Sequence, residues 1–493
     1  MIKDLYIKVS SLAVFLTMAL MPANAYSQVW YGDVNGDGQV NIEDVTSLID
    51  GLLSGETGST FHPLASQLSA RDYGAVGDGV TDDTDALERL FADAFMYKKK
   101  VFLDPGTYII RRSLTLRSGM EIYGDNATIK KKKSISTTLS AAAVKGQTYI
   151  DVANASGFVV GDQFFICNSQ GANYCTYGII TEVDGNRIYF TNIISDGQSD
   201  IQGCVMNYSS GLHVAKSFAL LRSWTARFEC DGVYIHDLTL DGNRSSTEPK
   251  SWANSCIHID AYYPGGYTGN STGIEYRKVQ RNLIARNLVI KNSPHDAISD
   301  QGEGGLIVAD CVIENSAMHG VHVGTVYFNG LVTNNVMTGN GNSGAGVFFC
   351  QDVVNMIVDG NKITSFNHGC SDEEFGTAGK YTIIRNNEFS NIKSYVFDFL
   401  KATKTKRGGG LQISDNTISG LKAPLFSGGY LDDVIVSNNQ VTSVTTVPTN
   451  LIKVKESNNV VIVGNTLPSG TEVSTPVDSS NTTNLISASN SWD

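Results

Sequence analysis

The sequence predicts an all-β fold in which a parallel β-helix, a solenoid of stacked coils, makes up most of the chain. Short apolar segments recur from Gly232 onward at intervals of 23 to 29 residues, usually beside a turn Asn. A period of this length is typical of solenoids. The equivalent positions are Leu288, Val312, Val336, Ile363, Phe389, Ile418, Val441 and Leu467. Only 17% of the 493 residues are charged and 49 are Gly, which favours short strands and turns over helices.

The overall charge limits the classes of partner. The formal net charge is -12. An acidic chain argues against nucleic acid and anionic membranes as partners. An acidic sugar polymer stays open as a substrate, because a local pocket of Arg or Lys side chains can override the net charge.

The first 25 residues have the features of a secretory signal peptide. Lys3 and Lys8 precede an apolar run over residues 12–21, and residues 23–25 read Ala-Asn-Ala, the pattern of a cleavage site. No later segment approaches the roughly 20 apolar residues that span a bilayer, so we expect no membrane span. The sequence therefore predicts a mature chain that begins at Tyr26 and is secreted, periplasmic or attached to the cell surface.

Residues 26–55 contain an acidic loop followed by an amphipathic helix. Oxygen-bearing residues occupy the ligand positions of a calcium loop, and Gly38 stands at its sharp turn. The predicted metal ligands are Asp33, Asn35, Asp37, Gln39 through its carbonyl, Asn41 and Asp44. The segment resembles one dockerin repeat, in which an EF-hand-like loop leads into a helix. The resemblance implies bound Ca²⁺. Dockerins normally carry two repeats and this chain has one, so a cohesin-like partner is left open.

Residues 56–69 have the composition of a linker, and residues 70–139 predict the start of the solenoid. A Gly-rich turn leads into a helix that begins near residues 81–83, and residues 101–110 then form a strand, a Pro-Gly turn and a second strand. This arrangement resembles the N-terminal cap of the pectate-lyase-like superfamily of right-handed parallel β-helices. That superfamily contains polysaccharide lyases, polygalacturonases, alginate epimerases and phage tailspikes. A cap is needed because the first coil would otherwise expose its core and unpaired strand edges.

Residues 140–210 depart from the repeat pattern. Alternating apolar segments and the Asp184-Gly185 hairpin signal predict a compact antiparallel β insertion beside the solenoid. The β-helix then occupies residues 211–493. Cys167 and Cys175 flank a short polar loop, so a disulfide between them is open.

A repeated histidine motif predicts the functional site. The segment NLVIKNSPHDAIS, from Asn287, is followed by DCVIENSAMHGVHVG, from Asp310. Because coils stack about 4.8 Å apart, residues at the same place in consecutive coils become neighbours. Three successive coils should therefore gather their His and Asp side chains within roughly 10 Å. The predicted catalytic residues are His258, Asp260, His295, Asp296, His319 and His322, with Asp300 as a further carboxylate.

Two superfamily motifs can be compared with these coils. Polygalacturonase-like members carry Asn-Thr-Asp, Asp-Asp, His-Gly and Arg-x-Lys on successive coils. The corresponding positions read Asn254-Ser255-Cys256, His295-Asp296, His319-Gly320 and Val347-Phe348-Phe349. An inverting hydrolase needs one protonated and one ionised carboxyl group, so Asp260 or Asp300 would have to substitute for the missing ones. Residues 293–296, Ser-Pro-His-Asp, are also similar to the Asp-Pro-His-Asp/Glu motif of alginate epimerases, which abstract the proton beside a uronate carboxylate.

We therefore expect a monomeric, exported polysaccharide lyase that cleaves pectin, alginate or a glycosaminoglycan by β-elimination. This reaction needs a base, a group that neutralises the uronate carboxylate, and an acid for the leaving oxygen. The base would be His295 or His319, and Asp296 would orient a histidine. The acid would be His322, Tyr262, Tyr263 or Tyr327, and the neutralising group Lys291, Arg281, Arg286 or a cation at Asp260 and Asp296. The alternatives are a polygalacturonase-like hydrolase and a non-catalytic glycan-binding or adhesion solenoid.

Overall fold

The computed structural model describes residues 66–166, 175–192, 203–223, 229–246, 248–249, 254–260, 279–324, 326–350, 352–372, 380–400 and 402–492. The predicted signal peptide and calcium repeat, with all six calcium ligands, and most of the linker lie outside these ranges. Their features therefore stay predictions.

An N-terminal helix caps the solenoid. The chain begins with the strand Gln67–Ser69, a short 3-10 helix at Arg71–Tyr73 and the strand Asp78–Asp82. The α-helix then spans Thr84–Tyr97 and buries Thr84, Ala86, Leu87, Leu90, Phe91 and Ala94. The carboxylate of Asp83 precedes the helix and accepts hydrogen bonds from the backbone N–H groups of Val76 and Gly77, at 2.6 and 3.1 Å. The Gly-rich turn and the helix therefore hold each other in place over the first coil.

The solenoid is built from two large parallel sheets. The first contains 14 strands. Its strands are Gln67–Ser69, Lys100–Leu103, Glu121–Gly124, Cys230–His236, Gln280–Arg286, Gly304–Ala309, Val326–Thr333, Asp352–Asp359, Ile383–Arg385, Gln412–Ser414, Leu431–Ser437, Asn458–Val463 and Thr483–Ala488, with Gly408–Gly409 beside Leu431–Ser437. Each strand belongs to the next coil along the axis, so all of its neighbours are parallel.

The second sheet contains 20 strands in two stacks. One stack is Asp78–Asp82, Gly106–Ile110, Ala127–Lys131, Thr239–Asp241, Val289–Lys291, Val312–Glu314, Val336–Phe349, Lys362–Asp372, Glu388–Ser390, Thr417–Ser419 and Gln440–Val441. The other is Leu114–Thr115, Leu221–Arg222, Ile257–Ile259, Ile298–Asp300, Val321–Val323, Phe397–Phe399, Phe426–Gly429, Ile452–Lys455 and Val477–Asp478. The strands Val336–Phe349 and Lys362–Asp372 run through both stacks and join them.

A six-stranded antiparallel sheet interrupts the solenoid after its first coils. Its strands, in spatial order, are Ser136–Thr138, His213–Ala215, Gln163–Ile166, Thr176–Asp184, Arg187–Asn192 and Tyr149–Asp151. Asp184 and Arg187 pair at the end of the hairpin whose turn was predicted at Asp184-Gly185. The sheet packs around its own core, which includes Ile150, Phe164, Ile188 and Phe190. Its strands extend a few residues beyond the predicted range 140–210 on both sides.

A buried ladder of asparagines explains the recurring turn Asn. Each side chain donates through Nδ2 to the Oδ1 of the next at 2.9–3.0 Å, and each Oδ1 also accepts the backbone N–H of the preceding Asn. The ladder consists of Asn335, Asn361, Asn387, Asn416, Asn439, Asn465 and Asn490. The amides therefore satisfy backbone groups that the turns would otherwise bury without partners.

One continuous hydrophobic core runs through the solenoid from Ala70 to Ile462. Cys204, Cys230, Cys256, Cys311, Cys350 and Cys370 are buried free thiols, whereas Cys175 is disulfide-bonded and Cys167 lies outside the described residues. Across the part of the chain that the structure describes, no helix is long and apolar enough to cross a membrane. The predicted fold class, a parallel β-helix with a helical cap and an antiparallel β insertion, is confirmed.

Candidate functional site

One stack of short parallel strands carries the polar residues. Ile257, Ile298, Val321 and Val347 stand in register and are buried in the core. Successive side chains of a strand point to opposite faces, so the residue after each of them faces outward. These outward residues form what we call the outward column: Arg222, His258, Ser299, His322, Phe348, Ser371 and Asp398.

A second line of side chains runs beside the outward column. It is formed by the residues that lie two positions before Ile298, Val321, Val347 and the equivalent buried residues of the next coils. We call it the turn column, and its members from coil to coil are Asp296, His319, Ala345, His368 and Tyr395. Three of the predicted histidines, His258, His319 and His322, therefore lie in two adjacent columns, and His295 directly precedes Asp296 of the turn column.

The carboxylate of Asp296 is the centre of a cluster, which we call the histidine cluster, formed with His295, His319 and His322. Its Oδ2 accepts a hydrogen bond from Nδ1 of His322 at 2.8 Å and lies 3.1 Å from Nδ1 of His295. Its Oδ1 accepts the backbone N–H of His319 at 3.0 Å. Burial alone would raise the pKa of Asp296, but the charges and hydrogen bonds of His295 and His322 hold it well below its usual range. Asp296 is therefore an ionised carboxylate shared by two imidazoles.

His319 is held as a neutral imidazole. Burial lowers the pKa of His319 to about 3, and the nearby charge of Asp296 opposes this only in part. The backbone N–H of Ala345 donates to its Nδ1 at 2.9 Å, so the ring proton lies on Nε2. The ring stacks on Phe348, with centroids 3.9 Å apart and planes at 10°. His319 is therefore positioned as a hydrogen-bond donor that does not carry a charge.

Gln301 contacts the far side of His322. Its Nε2 lies 3.2 Å from Nε2 of His322 and 3.3 Å from the hydroxyl of Ser299. An amide N–H toward Nε2 places the proton of a neutral His322 on Nδ1, where it faces Asp296. The side chain of Gln301 thus favours one tautomer of His322.

His258 and Asp260 form an enclosed group with Arg222. The guanidinium donates to Oδ1 of Asp260 through Nη2 and Nε, at 2.8 and 3.1 Å, and Nε2 of His258 lies 3.1 Å from the same oxygen. All three side chains are fully buried. Burial lowers the pKa of His258, and the positive charge of Arg222 adds to this effect, while Asp260 opposes it. Burial would raise the pKa of Asp260, but Arg222 and His258 hold it below its ordinary value.

The antiparallel β insertion contacts the enclosed group of Arg222, His258 and Asp260. Arg222 lies with its Cζ 4.9 Å from the centre of the Tyr177 ring, and Tyr177 belongs to the antiparallel sheet. A cation over an aromatic face is favourable, and more so when it is desolvated. The antiparallel sheet therefore packs against the buried start of the outward column.

The structure does not bring Asp300 to the cluster. Asp300 stands in register with Ile259 and Val323, one residue beyond the outward column. Its side chain is fully buried, and its Oδ1 accepts the backbone N–H of Gly302 at 3.0 Å. It therefore lies on the inward side, away from His322.

The residues suggested for neutralising the uronate carboxylate lie away from Asp296 or at a strand end, and most of those suggested as the acid for the leaving oxygen are not described. Arg281 pairs with Asp231 at 2.8 Å and Arg286 with Asp310 at 3.1 Å, both on the other sheet. Lys291 ends the strand before the turn, in register with Glu314. Tyr262 and Tyr263, and the side chain of Tyr327, lie outside what the structure describes. Within the described ranges, no three His, Cys, Asp or Glu side chains are arranged to hold a metal ion.

Arg222, Gln301 and Phe348 were missed by the sequence reasoning. Arg222 follows Leu221 with the same apolar–polar alternation as His258 after Ile257, but it lies before Gly232, where the visible repeats begin. Gln301 stands just after a strand, and Phe348 replaces a polar residue within the outward column. The alternation could have revealed Arg222, whereas nothing in the repeat marks Gln301.

Solved structures with a similar fold are only distantly related in sequence. The A-module of the mannuronan C-5 epimerase AlgE6 of Azotobacter vinelandii is 17% identical, with 86% of this chain and 99% of the other covered and a TM-score of 0.48. The surface adhesin PfbA of Streptococcus pneumoniae is 14% identical over 81% and 84%, also with a TM-score of 0.48. A hyperthermoactive exopolygalacturonase of Thermotoga maritima is 12% identical over 85% and 88%, with a TM-score of 0.46.

Curated relatives match only short segments. A segment of 57 residues, 12% of this chain, is 44% identical to the non-secreted LysM effector LysM19 of Penicillium expansum. A segment of 90 residues, 18% of this chain, is 32% identical to a glucan 1,3-beta-glucosidase of Cochliobolus carbonum. The chain spans only 4% and 10% of the length of these two relatives.

A family model covers the region that holds the cap, the insertion and the histidine cluster. Residues 67–322, more than half of the chain, match the model described as rhamnogalacturonase A/epimerase, pectate lyase-like. The match ends at His322, so it includes every predicted catalytic residue. The chain therefore belongs to the rhamnogalacturonase A/epimerase family of pectate lyase-like proteins.

Proposed function

We propose that this chain is an exported polysaccharide lyase that cleaves a uronate-containing polymer by β-elimination. The observation that supports this best is the ionised carboxylate of Asp296, shared by His295 and His322 and adjacent to the neutral imidazole of His319. Export through the predicted signal peptide and Ca²⁺ binding by the predicted N-terminal loop belong to the same proposal.

His295 is the favoured base. Its side chain is 13% exposed, against 9% for His322 and none for His258, and its Nδ1 faces Asp296. Nε2 is then the atom left for the substrate, and the carboxylate stabilises the imidazolium that forms there. The base takes the proton from C5 of the uronate, the C4–O4 bond breaks, and a double bond forms between C4 and C5. The leaving oxygen takes a proton from an acid.

His319 fits a different role from the one that the sequence left open. An imidazole with a pKa of about 3 is a poor base at neutral pH, but its Nε2–H is a permanent donor. Such a donor stabilises negative charge that develops on the uronate carboxylate as the C5 proton leaves. We therefore assign His319 to the stabilisation of this developing charge. His322, which contacts Gln301, shares the carboxylate of Asp296 with His295.

Hydrolysis is the second candidate, because the matched family is described as rhamnogalacturonase A/epimerase. An inverting hydrolase needs a carboxyl group that stays protonated beside one that is ionised. The pKa of Asp296 is held well below its usual range, Asp260 is enclosed by Arg222, and Asp300 lies on the inward side. These three carboxylates favour elimination over hydrolysis.

The test is product analysis on a set of acidic polysaccharides. We expect the wild-type chain to release oligosaccharides that absorb in the ultraviolet through an unsaturated uronate end. His295→Ala should lower the rate by about 100- to 10,000-fold, the usual contribution of a general base. Asp296→Asn and His319→Ala should also lower it. His213→Ala, at an exposed histidine of the antiparallel sheet, is the matched control and should leave the rate unchanged.

Three outcomes would contradict the proposal. Reducing ends that appear without ultraviolet absorbance would show hydrolysis. Binding without any product would show a glycan-binding solenoid. Full activity in the His295, Asp296 and His319 variants would overturn the site itself.

A further inference from the structure

We propose that Arg244 binds the carboxylate of the uronate that reacts at the histidine cluster. The inference rests on the proposed function, because elimination needs a group that neutralises this carboxylate. Arg281 and Arg286 do not fit this role, since both are paired with aspartates on the other sheet. Arg244 follows the strand Thr239–Asp241 by three residues, and none of the repeats or motifs of the sequence marks it.

A short ladder of side chains follows the turns that lead to the histidine cluster. We call it the turn ladder. Its members are Asp241, Asn292, Asn315 and Asn340, and each asparagine donates through Nδ2 to Oδ1 of the preceding member, at 3.0, 2.8 and 3.4 Å. Asn292 lies four residues before Asp296, and Asn315 lies four residues before His319. The turn ladder therefore runs along one side of the histidine cluster.

Arg244 reaches across the turn ladder. Its backbone N–H donates to the carbonyl of Asn292 at 3.2 Å, and its Nη2 donates to Oδ1 of Asn315, one coil further, at 3.0 Å. Met318, three residues after Asn315, donates its backbone N–H to the carbonyl of His295 at 3.0 Å. Three residues of chain span at most roughly 11 Å, so the guanidinium is within reach of a sugar ring bound at His295.

The guanidinium of Arg244 keeps donors for a ligand. A guanidinium has five N–H donors, and among the described residues only Asn315 accepts one of them. Nε of Arg244 is buried and has no hydrogen-bond partner in the part of the chain that the structure describes. Arg244 is half-buried and Asn315 is exposed, so a ligand can approach them from solvent.

The carboxylates near Arg244 are compensated by lysines. Glu248 forms an ion pair with Lys131, and both side chains are fully buried. Asp241 lies 3.8 Å from Nζ of Lys130. Burial lowers the pKa of Arg244 and the charge of Glu248 opposes this, but a guanidinium stays protonated in proteins. A carboxylate on the ligand would therefore meet a cation that these two acidic residues do not neutralise.

The residues on either side of Arg244 are fixed. Asn243 donates through Nδ2 to the carbonyl of Lys131 at 2.9 Å, and the backbone N–H of Ser245 donates to Oε2 of Glu248 at 3.3 Å. The buried ion pair thus anchors the segment that carries Arg244. A donor that is held in place before the ligand binds costs less ordering entropy on binding.

The position of Arg244 suits the chemistry of elimination. A guanidinium and a carboxylate form paired, charge-assisted hydrogen bonds. Negative charge grows on the uronate carboxylate as the C5 proton leaves for His295, so a fixed cation there stabilises the transition state. His319 donates to the same carboxylate from the turn column. A methyl ester has no charge at this place, so Arg244 gives it no comparable contact.

The experiment compares oligosaccharides from pectin, alginate and a glycosaminoglycan, each as the free acid and as the methyl ester. Affinity is measured by calorimetry and cleavage by product absorbance, for the full-length wild type, Arg244→Gln, Arg244→Lys and Asn315→Gly. Glycine removes the amide partner of Arg244 and suits the φ of 55° at Asn315. The matched control is Arg281→Gln, at an arginine paired with Asp231 on the other sheet. Thermal melting shows that each variant is folded.

We expect the wild type to bind the free acid more tightly than the ester. Arg244→Gln should weaken binding of the acid by about 10- to 100-fold, the effect of losing hydrogen bonds to a charged group, and leave binding of the ester almost unchanged. Arg244→Lys should restore part of the preference, because it keeps the charge but not the paired donors. Asn315→Gly should keep the preference for the acid, and Arg281→Gln should behave as the wild type.

A preference for the acid that persists in Arg244→Gln would overturn the assignment. Equal losses on acid and ester in Arg244→Gln, matched by Asn315→Gly, would show that Arg244 only holds the turn, and would also overturn it. Binding without unsaturated products would refute elimination, and the ratio of affinities would still decide the role of Arg244. A wild type that binds none of the three acids would overturn both.

Discussion

Replacing Gly344 by Ala tests whether packing fixes the position of His319. The backbone of Gly344 lies outside the left-handed region, so alanine is not strained there. The added Cβ, however, would lie 2.5 Å from Cε1 and 2.6 Å from Nδ1 of His319. The ring cannot simply withdraw, because it stacks on Phe348 and its Nδ1 accepts the N–H of Ala345 at 2.9 Å.

The expected magnitude follows from these contacts. Adding a methyl group to a well-packed site costs about 1–3 kcal/mol of unfolding free energy, through shifts of side chains and backbone. If the ring moves instead, the hydrogen bond from Ala345 is lost, which contributes about 1 kcal/mol. A shift of the His319 donor by about 1 Å lowers the reaction rate by roughly 100-fold.

Urea unfolding and product absorbance measure the two effects. Gly429→Ala is the control, since its added Cβ has no neighbour closer than 3.6 Å and its backbone is also outside the left-handed region. In a His319→Ala background the ring is absent, so Gly344→Ala should no longer destabilise the chain. An equal loss of stability in both backgrounds would refute the steric explanation.

Three further outcomes are expected. Asn387→Ala should cost about 2–4 kcal/mol in urea unfolding, because the buried backbone N–H of Asn361 loses its acceptor and Oδ1 of Asn416 loses one of its two donors. The pKa of Asp296 is depressed on folding, so its contribution to stability is present above the ordinary aspartate pKa of about 3.9 and is lost as the pH falls. Asp296→Asn should therefore flatten the acid side of a curve of melting temperature against pH. Lys131→Met should cost about 3–5 kcal/mol, since it leaves the fully buried Glu248 carboxylate unpaired, and adding Glu248→Leu should restore most of this loss.

The coil register was partly predictable from the sequence, because equivalent residues of successive coils become neighbours in a β-helix. The predicted pairs Val312–Val336, Ile363–Phe389, Phe389–Ile418 and Ile418–Val441 do stand in register. Two predicted pairs were wrong by one residue, because Val312 pairs with Val289 and not with Leu288, and Ile363 pairs with Met337 and not with Val336. The same rule placed His258 and His322 in one outward column and Asp296 and His319 in the neighbouring coil positions. The strict alternation of inward and outward side chains could also have excluded Asp300, which stands one residue beyond Ser299.

Contacts that depend on turns and insertions were not predictable in the same way. Arg222 reaches Asp260 only because the chain resumes the solenoid after the antiparallel sheet, in register with Ile257–Ile259. Tyr177, which covers Arg222, comes from that sheet and not from the repeat. The helix shows the same limit: its apolar spacing in the sequence puts Phe95 on one stripe with Phe91, yet Phe95 is 38% exposed and only Phe91 is buried.

Burial, which the sequence does not display, separates residues that look equivalent in the repeat. His258 and His322 belong to one column, with Ser299 between them, and each is close to an aspartate. His258 is nevertheless enclosed with Asp260 and Arg222, where the carboxylate and the guanidinium compensate each other's charge without contact with solvent. His295 and His322 remain partly exposed around Asp296. Since a base must reach its substrate, we place the proposed chemistry at Asp296 and not at the enclosed group of Arg222, His258 and Asp260.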